Sequence, residues 1–320
     1  MTRRLRRVQP YVSPGFTRGS DQFVAASRRR VTHDDRARAA SLAIPPAWTD
    51  VWIAHAANGH IQAVGVDAAG RRQYLYHPDW RESRDHAKFQ RALGLAAVLP
   101  RARASVTRDL RREGLSRERV LAAAFRILDT VAVRVGNERY TATNGSRGLS
   151  TLQQRHAVVR GALVQLTFPA KSGRRARVEV QDHDLAKVLH ALLSGKRTDR
   201  LLVPDNGDAL TATDVNEYVR VKTGGDFSAK DFRTLRGTIV AAQHLARLAT
   251  PTSERERRAC TRSAALAASY ALGNTPAVAL SSYIDPEVFV HFVAGDVVEL
   301  HLSPEAGLLR LLRPKDARRD

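Results

Sequence analysis

Three short alternating segments follow one another early in the chain: Val51-Trp-Ile-Ala-His55, Ile61-Gln-Ala-Val-Gly-Val66 and Arg72-Gln-Tyr-Leu-Tyr76. Ala57-Asn-Gly59 and Asp67-Ala-Ala-Gly70, both of turn composition, separate them. A side-chain period of two broken by tight turns predicts a small antiparallel sheet. Past residue 90 the dominant period becomes helical, beginning with a long amphipathic stretch from Arg117 to Val133. It carries Val120, Ala124, Ile127, Leu128 and Val131 on one face. The loop Thr143–Gly148 ends it. Further helices are predicted near 183–194, 212–223, 228–249, 254–272 and 305–312. Strands over 156–168 and 177–180 flank the turn Lys171-Ser-Gly-Arg174. No internal repeat is present. The expected fold is α+β, with a small N-terminal antiparallel β-sheet domain over 21–90 and a larger, mainly α-helical domain with a β-hairpin over 91–320. Residues 1–20, basic and containing Pro and Gly, read as a flexible arm.

A chain of 320 residues is long enough for two modest domains or one large one, and 43% hydrophobic content is ample for a real core. Its formal net charge is +20, and its pI is near 11.1. That balance favours a polyanionic partner, nucleic acid first and an anionic membrane surface second. The single cysteine, Cys260, excludes an intramolecular disulfide and a cysteine-based zinc site. No apolar run reaches the roughly 18 residues of a membrane span. The start Met1-Thr-Arg-Arg-Leu-Arg-Arg7 lacks the apolar stretch of a secretory signal, so a reducing, cytoplasmic setting is expected. Of the 52 basic residues 45 are arginine and only seven lysine. Where arginine supplies nearly every cation, a retained lysine draws notice, because lysine can release its proton and arginine cannot. Lys171 and Lys230 are two of the seven.

Four residue types at wide spacing suggest a chemistry. Arg134 stands just before Gly136 at the end of the long helical stretch, Lys171 in the hairpin turn, Arg233 near a helix start and Tyr283 close to the end of the chain. Moving a phosphodiester onto a protein hydroxyl needs an aimed nucleophile, fixed donors for the non-bridging oxygens and a proton for the departing alkoxide. Tyrosine suits the first need, since its phenolate leaves well when the reaction reverses. Arginine forks suit the second. A lysine with a pKa depressed by neighbouring arginines suits the third. Taken singly, each residue has an ordinary reading: Arg134 as a helix-terminus cation, Lys171 as a solvated turn lysine, Tyr283 as a packed ring. Arg233 follows Ser228, an expected N-cap with Asp231 at the capping-box position, and so lies where a cation opposes the helix dipole unless an anion sits there. Tyr74 and Tyr76 are expected on one face of their strand and Gln73 on the other. The two tyrosines either meet a polyanion or form the sheet's apolar face.

The residues in company resemble a family. Val133-Arg-Val-Gly-Asn-Glu-Arg-Tyr140, Gly148-Leu-Ser-Thr-Leu152, Phe168-Pro-Ala-Lys-Ser-Gly173, Asp214-Val-Asn-Glu-Tyr218, Lys230-Asp-Phe-Arg-Thr234 and Leu272-Gly-Asn-Thr-Pro276 are similar to segments of type IB DNA topoisomerases of the bacterial, poxvirus-like group. So are Pro45-Pro-Ala-Trp48, Gly59-His-Ile-Gln-Ala63 and Gly70-Arg-Arg-Gln-Tyr-Leu-Tyr76 nearer the start. The resemblance implies a two-domain clamp on duplex DNA and a 3′-phosphotyrosyl intermediate that relaxes supercoils with no ATP, metal or other cofactor. By position it implies Tyr283, Arg134, Lys171 and Arg233 as catalytic residues, with Asn274 in the place where viral and nuclear relatives carry histidine. A neutral amide donates to phosphate but cannot shuttle a proton, so Asn274 is an electrostatic candidate. Lys230, Gln73, Tyr74, Tyr76 and Arg236 are candidate DNA contacts; Arg236 stands where the family usually has a small residue. A monomer acting on duplex DNA is expected. A tyrosine recombinase, which shares an Arg/Lys/Arg/Tyr set, and a non-catalytic DNA-binding protein are the alternatives. The recombinase's usual His-x-x-Arg segment is here Lys-Asp-Phe-Arg233.

Overall fold

The computed structural model describes residues 4–18, 23–25, 30–195 and 199–313. It divides the chain into two units, through residue 87 and from residue 88. In the first unit, β1 (Gly15–Arg18), β2 (Phe23–Ala25), β3 (Thr49–Ala54), β4 (Ile61–Val66) and β5 (Arg72–Tyr76) form an antiparallel sheet in the order β2-β1-β3-β4-β5. Helix α1 (His33–Ser41) starts at a Thr32–Asp35 capping box. The strongly apolar β3 is explained by burial on both faces. Val51 and Ile53 pack with Phe16, Ala39 and Ala63, whereas Trp52 and Ala54 pack with Val8, Ile61 and Val64.

The expected arm over 1–20 is corrected here, because its last described residues, Gly15–Arg18, form a strand of the sheet and residues before them pack against it. Arg6 bridges to Gly59, Val8 is buried, and its N–H donates to His60 Nδ1 at 3.1 Å. Phe16 is fully buried in β1. Gly15 is required beside it, since a Cβ there would lie 2.2 Å from the indole nitrogen of Trp52. The compositional signal of a loop was real, but pairing with β3 satisfies this backbone and Phe16 supplies the apolar contact. Residues 1–3, 19 and 20 lie outside the described residues.

Helix α2 (Pro78–Leu110) crosses the division between the units and leads to α3 (Arg117–Val131), with Ser116 as its N-cap. Every residue from Val120 to Phe125, with Ile127 and Leu128, is buried, so α3 is the centre of the second core. Around it stand α4 (Glu138–Asn144), a three-stranded sheet of β6 (Ala157–Arg160), β7 (Leu163–Pro169) and β8 (Arg175–Gln181), and α5 (His183–Ser194). The segment read as one strand over 156–168 is two, reversed at Gly161, whose φ of 57° suits glycine. Then follow α6 (Ala212–Thr223), α7 (Ala229–Leu245), α8 (Glu254–Leu272), α9 (Pro276–Tyr283), α10 (Glu287–Val293) and α11 (Pro304–Leu312). Tyr218 explains part of its motif structurally: its hydroxyl donates to buried Asp109 at 2.6 Å, and Lys222 pairs with the same carboxylate at 2.6 Å. Cys260 is half-buried in α8. Among the described residues no helix is long and apolar enough to cross a membrane.

The N-terminal packing is testable. Phe16→Ala removes a fully buried ring and is expected to destabilise the first unit by about 3–5 kcal/mol, read as a lower urea midpoint. A midpoint unchanged from the parent would mean that this strand contributes nothing to the sheet's stability.

Candidate active site

Arg233 is the most deeply buried cation of the second unit among the described residues. It is the fifth residue of α7, which opens at the Ser228–Asp231 capping box predicted from the sequence. Asp231 Oδ2 accepts from the Ser228 N–H at 2.8 Å and from its hydroxyl at 2.9 Å. It also receives Arg91 at 2.9 Å. Arg233 itself is only 4% exposed. Its Nη1 donates to the Ala132 carbonyl at 2.6 Å and its Nη2 to the Leu272 carbonyl at 2.8 Å. Those carbonyls belong to the C-terminal ends of α3 and α8, where helix oxygens lack partners and the dipole is negative. Two helix ends thus offset the unfavourable position of a cation near the start of α7. The Nε of Arg233 has no hydrogen-bond partner among the described residues.

Arg134 does not ride on α3, as the sequence suggested. The helix stops at Val131, and Ala132 takes a left-handed conformation at φ 48°, which costs a non-glycine residue about 1–2 kcal/mol. The chain then runs out through Gly136 at φ 95° and crosses the segment after Arg147. The Leu149 N–H donates to the Arg134 carbonyl at 2.8 Å and the Ser150 N–H to Val135 at 2.7 Å. The crossing requires Gly148, because a Cβ there would lie 2.4 Å from Gly136 N and 2.6 Å from the Arg134 carbonyl. The same segment anchors the β7–β8 hairpin: Arg147 N–H donates to Pro169 O at 2.7 Å and Ser146 Oγ to Ala170 O at 3.2 Å. Exposed Lys171 sits on the hairpin tip, as expected. Arg134, Lys171 and Arg233 line one cleft with Arg147, Arg175 and Arg177, and no carboxylate lines it among the described residues.

Asn274 follows the Gly273 that caps α8. It is buried, yet neither polar atom of its side-chain amide has a hydrogen-bond partner among the described residues. Thr275 caps the next helix, with Pro276 at its first turn, and that helix ends at half-buried Tyr283. The Tyr283 carbonyl lies against α7, where Thr238 Oγ1 donates to it at 3.2 Å. A Cβ on Gly237 would come within 2.5 Å of that oxygen. Gly237 was missed from the sequence; its signal is a lone glycine inside an otherwise helical stretch, which marks close approach of another backbone. The Arg233 guanidinium carbon lies 5.1 Å from the centre of the Tyr283 ring. Burial raises the phenol pKa, but the charges of Arg233, Arg134 and Lys230 outweigh it and hold the phenol below its ordinary value.

Comparison with known proteins gives the family. Residues 77–287 match the family described as eukaryotic DNA topoisomerase I, catalytic core, and residues 22–67 match the bacterial DNA topoisomerase IB N-terminal domain. The chain belongs to the type IB DNA topoisomerases. It is 28% identical over 307 residues, 90% of this chain and 89% of the relative, to DNA topoisomerase 1B of Acanthamoeba polyphaga mimivirus.

The remaining sequence candidates of this topoisomerase fall in different places. Lys230 is exposed in the first turn of α7, and its charge reaches Tyr283. Arg236 is not brought to the site. One turn along α7, it lines a separate cavity with the ion-paired Arg103, Asp129 and Glu305, because the side of α7 that it occupies is turned from the cleft. In the first unit, Tyr74 and Tyr76 are each 39% exposed and stack with ring centres 6.0 Å apart. Leu75 between them joins the core, so the tyrosines are not the sheet's buried face. Gln73 Nε2 donates to Asp67 at 2.8 Å.

Gly237→Ala sets helix propensity, which gains about 1 kcal/mol, against the clash with the Tyr283 backbone. The expected outcome is DNA relaxation slower by ~10²-fold, the order of effect of a misplacement of about 1 Å, with a preserved fold by circular dichroism. A more stable variant of full activity would refute the close-approach argument. The phenol titration is a second test. Because its pKa is lowered, Tyr283 ionises at lower pH than a free tyrosine. In absorbance difference spectra against Tyr283→Phe, Arg233→Gln is expected to shift the titration upward the most and Lys230→Ala less. No shift in either variant would show that these charges do not act on the phenol.

Proposed function

We propose that this enzyme relaxes supercoiled duplex DNA by cutting one strand through Tyr283 and resealing it. Tyr283 Oη attacks the scissile phosphorus as the bond to the 5′-oxygen breaks, leaving a 3′-phosphotyrosyl ester and a free 5′-hydroxyl. The phenol gives up its proton to solvent water as it attacks, helped by the cations that lower its pKa. Lys171 donates a proton to the departing 5′-oxygen, and the reverse attack of that hydroxyl reseals the strand. Arg134, Arg233 and Asn274 hold the non-bridging oxygens, with the unpartnered Arg233 Nε and Asn274 amide as the donors left for the phosphate. The observation that carries this reading is a cleft lined by six cationic side chains and no described carboxylate, with Tyr283 held against its deepest arginine.

The ester conserves the energy of the phosphodiester, so the cycle needs no ATP. Fixed cations meet the charge that a metal would otherwise meet, so the cycle needs no metal. The exposed Tyr74–Tyr76 pair, with Gln73 and Lys230, supplies further DNA contacts as the two domains clamp the duplex. The enzyme acts as a monomer on DNA of the cytoplasmic nucleoid, since a clamp needs no symmetry.

Plasmid relaxation in EDTA without ATP is the direct test, and loss of activity to the chelator would overturn metal independence. Tyr283→Phe is expected to bind DNA as the parent does while losing relaxation and the denaturation-resistant adduct. A persisting adduct would place the nucleophile elsewhere. Lys171→Ala is expected to slow cleavage by ~10²–10⁴-fold, the range of general acid catalysis. A substrate with sulfur at the 5′-bridging position, which leaves without a proton, is expected to restore the rate.

A further inference from the structure

We propose that Arg174 is a positioning residue that holds Lys171 in register with the nucleophile; the proposal rests on the reading of Lys171 as the acid. The tip that carries Lys171 spans the ends of β7 and β8, closed by the Ala170 N–H donating to the Arg174 carbonyl at 2.6 Å. A single 3₁₀ turn with Gly173 at φ 70° makes up the rest. Such a tip has little stiffness of its own, since few backbone bonds restrain it. On one side it is anchored through Ser146 and Arg147 to the segment that crosses Arg134. On the other side, Arg174 Nη1 donates to the Asn274 carbonyl at 2.8 Å, joining residues 100 positions apart. Asn274 opens directly into Thr275, the cap of the helix that ends at Tyr283. One charged hydrogen bond therefore ties the acid-bearing tip to the start of the nucleophile-bearing helix.

Arginine suits this task. Its length spans from a hairpin tip to a neighbouring loop, and its donation to a neutral carbonyl leaves the Asn274 side-chain amide unengaged. Proton donation needs an approach within hydrogen-bond reach, and a misplacement of about 1 Å costs on the order of 10²-fold. Loss of the Arg174 bond is thus expected to harm the step that needs a proton and to spare the others.

The test is single-turnover cleavage by the full chain on paired oligonucleotides, one with the normal 5′-oxygen and one with 5′-bridging sulfur. Arg174→Ala is expected to slow the oxygen substrate by ~10–100-fold and the sulfur substrate hardly at all. Arg174→Lys, which keeps one donor, is expected to recover part of the rate. Adding Arg174→Ala to Lys171→Ala is expected to cause no further loss on the oxygen substrate, because the two act through one proton. Equal slowing of both substrates, no slowing of either, or additive losses in the double variant would overturn the proposal. So would a weaker salt dependence of binding with equal effects on the two substrates, which would make Arg174 a phosphate contact. If Lys171→Ala is itself not rescued by sulfur, the reading of Lys171 fails. If it is rescued and Arg174→Ala is not, only the positioning role fails.

Discussion

The hydrogen bonds from Arg233 to the carbonyls of Ala132 and Leu272 carry the architecture of this site. A buried guanidinium is costly unless its donors are met, and here two helix C-termini meet them. The bonds fix where α3 and α8 stop relative to α7. Each helix end is followed two residues later by another candidate, Arg134 after Ala132 and Asn274 after Leu272. Three elements distant in sequence therefore take their positions from one side chain. Ala132 is left-handed at this junction, which is intelligible because its carbonyl must face Arg233 while the chain beyond it turns towards Gly148.

Glycine sets the remaining distances by omission. Gly148 permits the strand-like crossing that presents Arg134, and Gly237 permits the Tyr283 backbone to rest on α7. Neither position needs an unusual φ; each needs the space that a Cβ would fill. The consequence is precise placement of reactive groups by the backbone itself, which is stiffer than side-chain packing.

The distribution of charge has a similar logic. Four carboxylates of the second unit are bound into ion pairs outside the cleft: Asp109 with Lys222, Asp129 and Glu305 with Arg103, Asp182 with Arg126. Asp231 is committed to the α7 cap and Arg91. Among the described residues no carboxylate lines the cleft, although Arg177 pairs with Glu179 at 3.3 Å, and the charges of Arg233 and Arg134 act on Tyr283, whose pKa falls despite burial. Cationic crowding of this kind is unfavourable in isolation and is relieved by a bound polyanion, which is the partner that the net charge of +20 calls for.

Much of this was legible in the residues. Strands β3 to β5, the helices from α5 to α8 and the Ser228–Asp231 cap follow from local periodicity and side-chain chemistry, which depend only on near neighbours. The candidate residues too stood out as residue types in context. Other features depended on contacts between distant segments. Phe16 lies in a stretch of loop composition and becomes core only because β3 pairs with it. Arg236, so near Arg233 in sequence, is turned to another cavity. The carbonyl partners of Arg233 and the need for glycine at 148 have no local signature, and the lone glycine at 237 marks a close approach without naming its partner, because these features express how closely two backbones approach. The sequence by itself determined the elements with a clear local period, the charge and the cast of candidate side chains. Tertiary structure alone decided which of them converge, since convergence is a matter of distances between segments that local propensity does not encode.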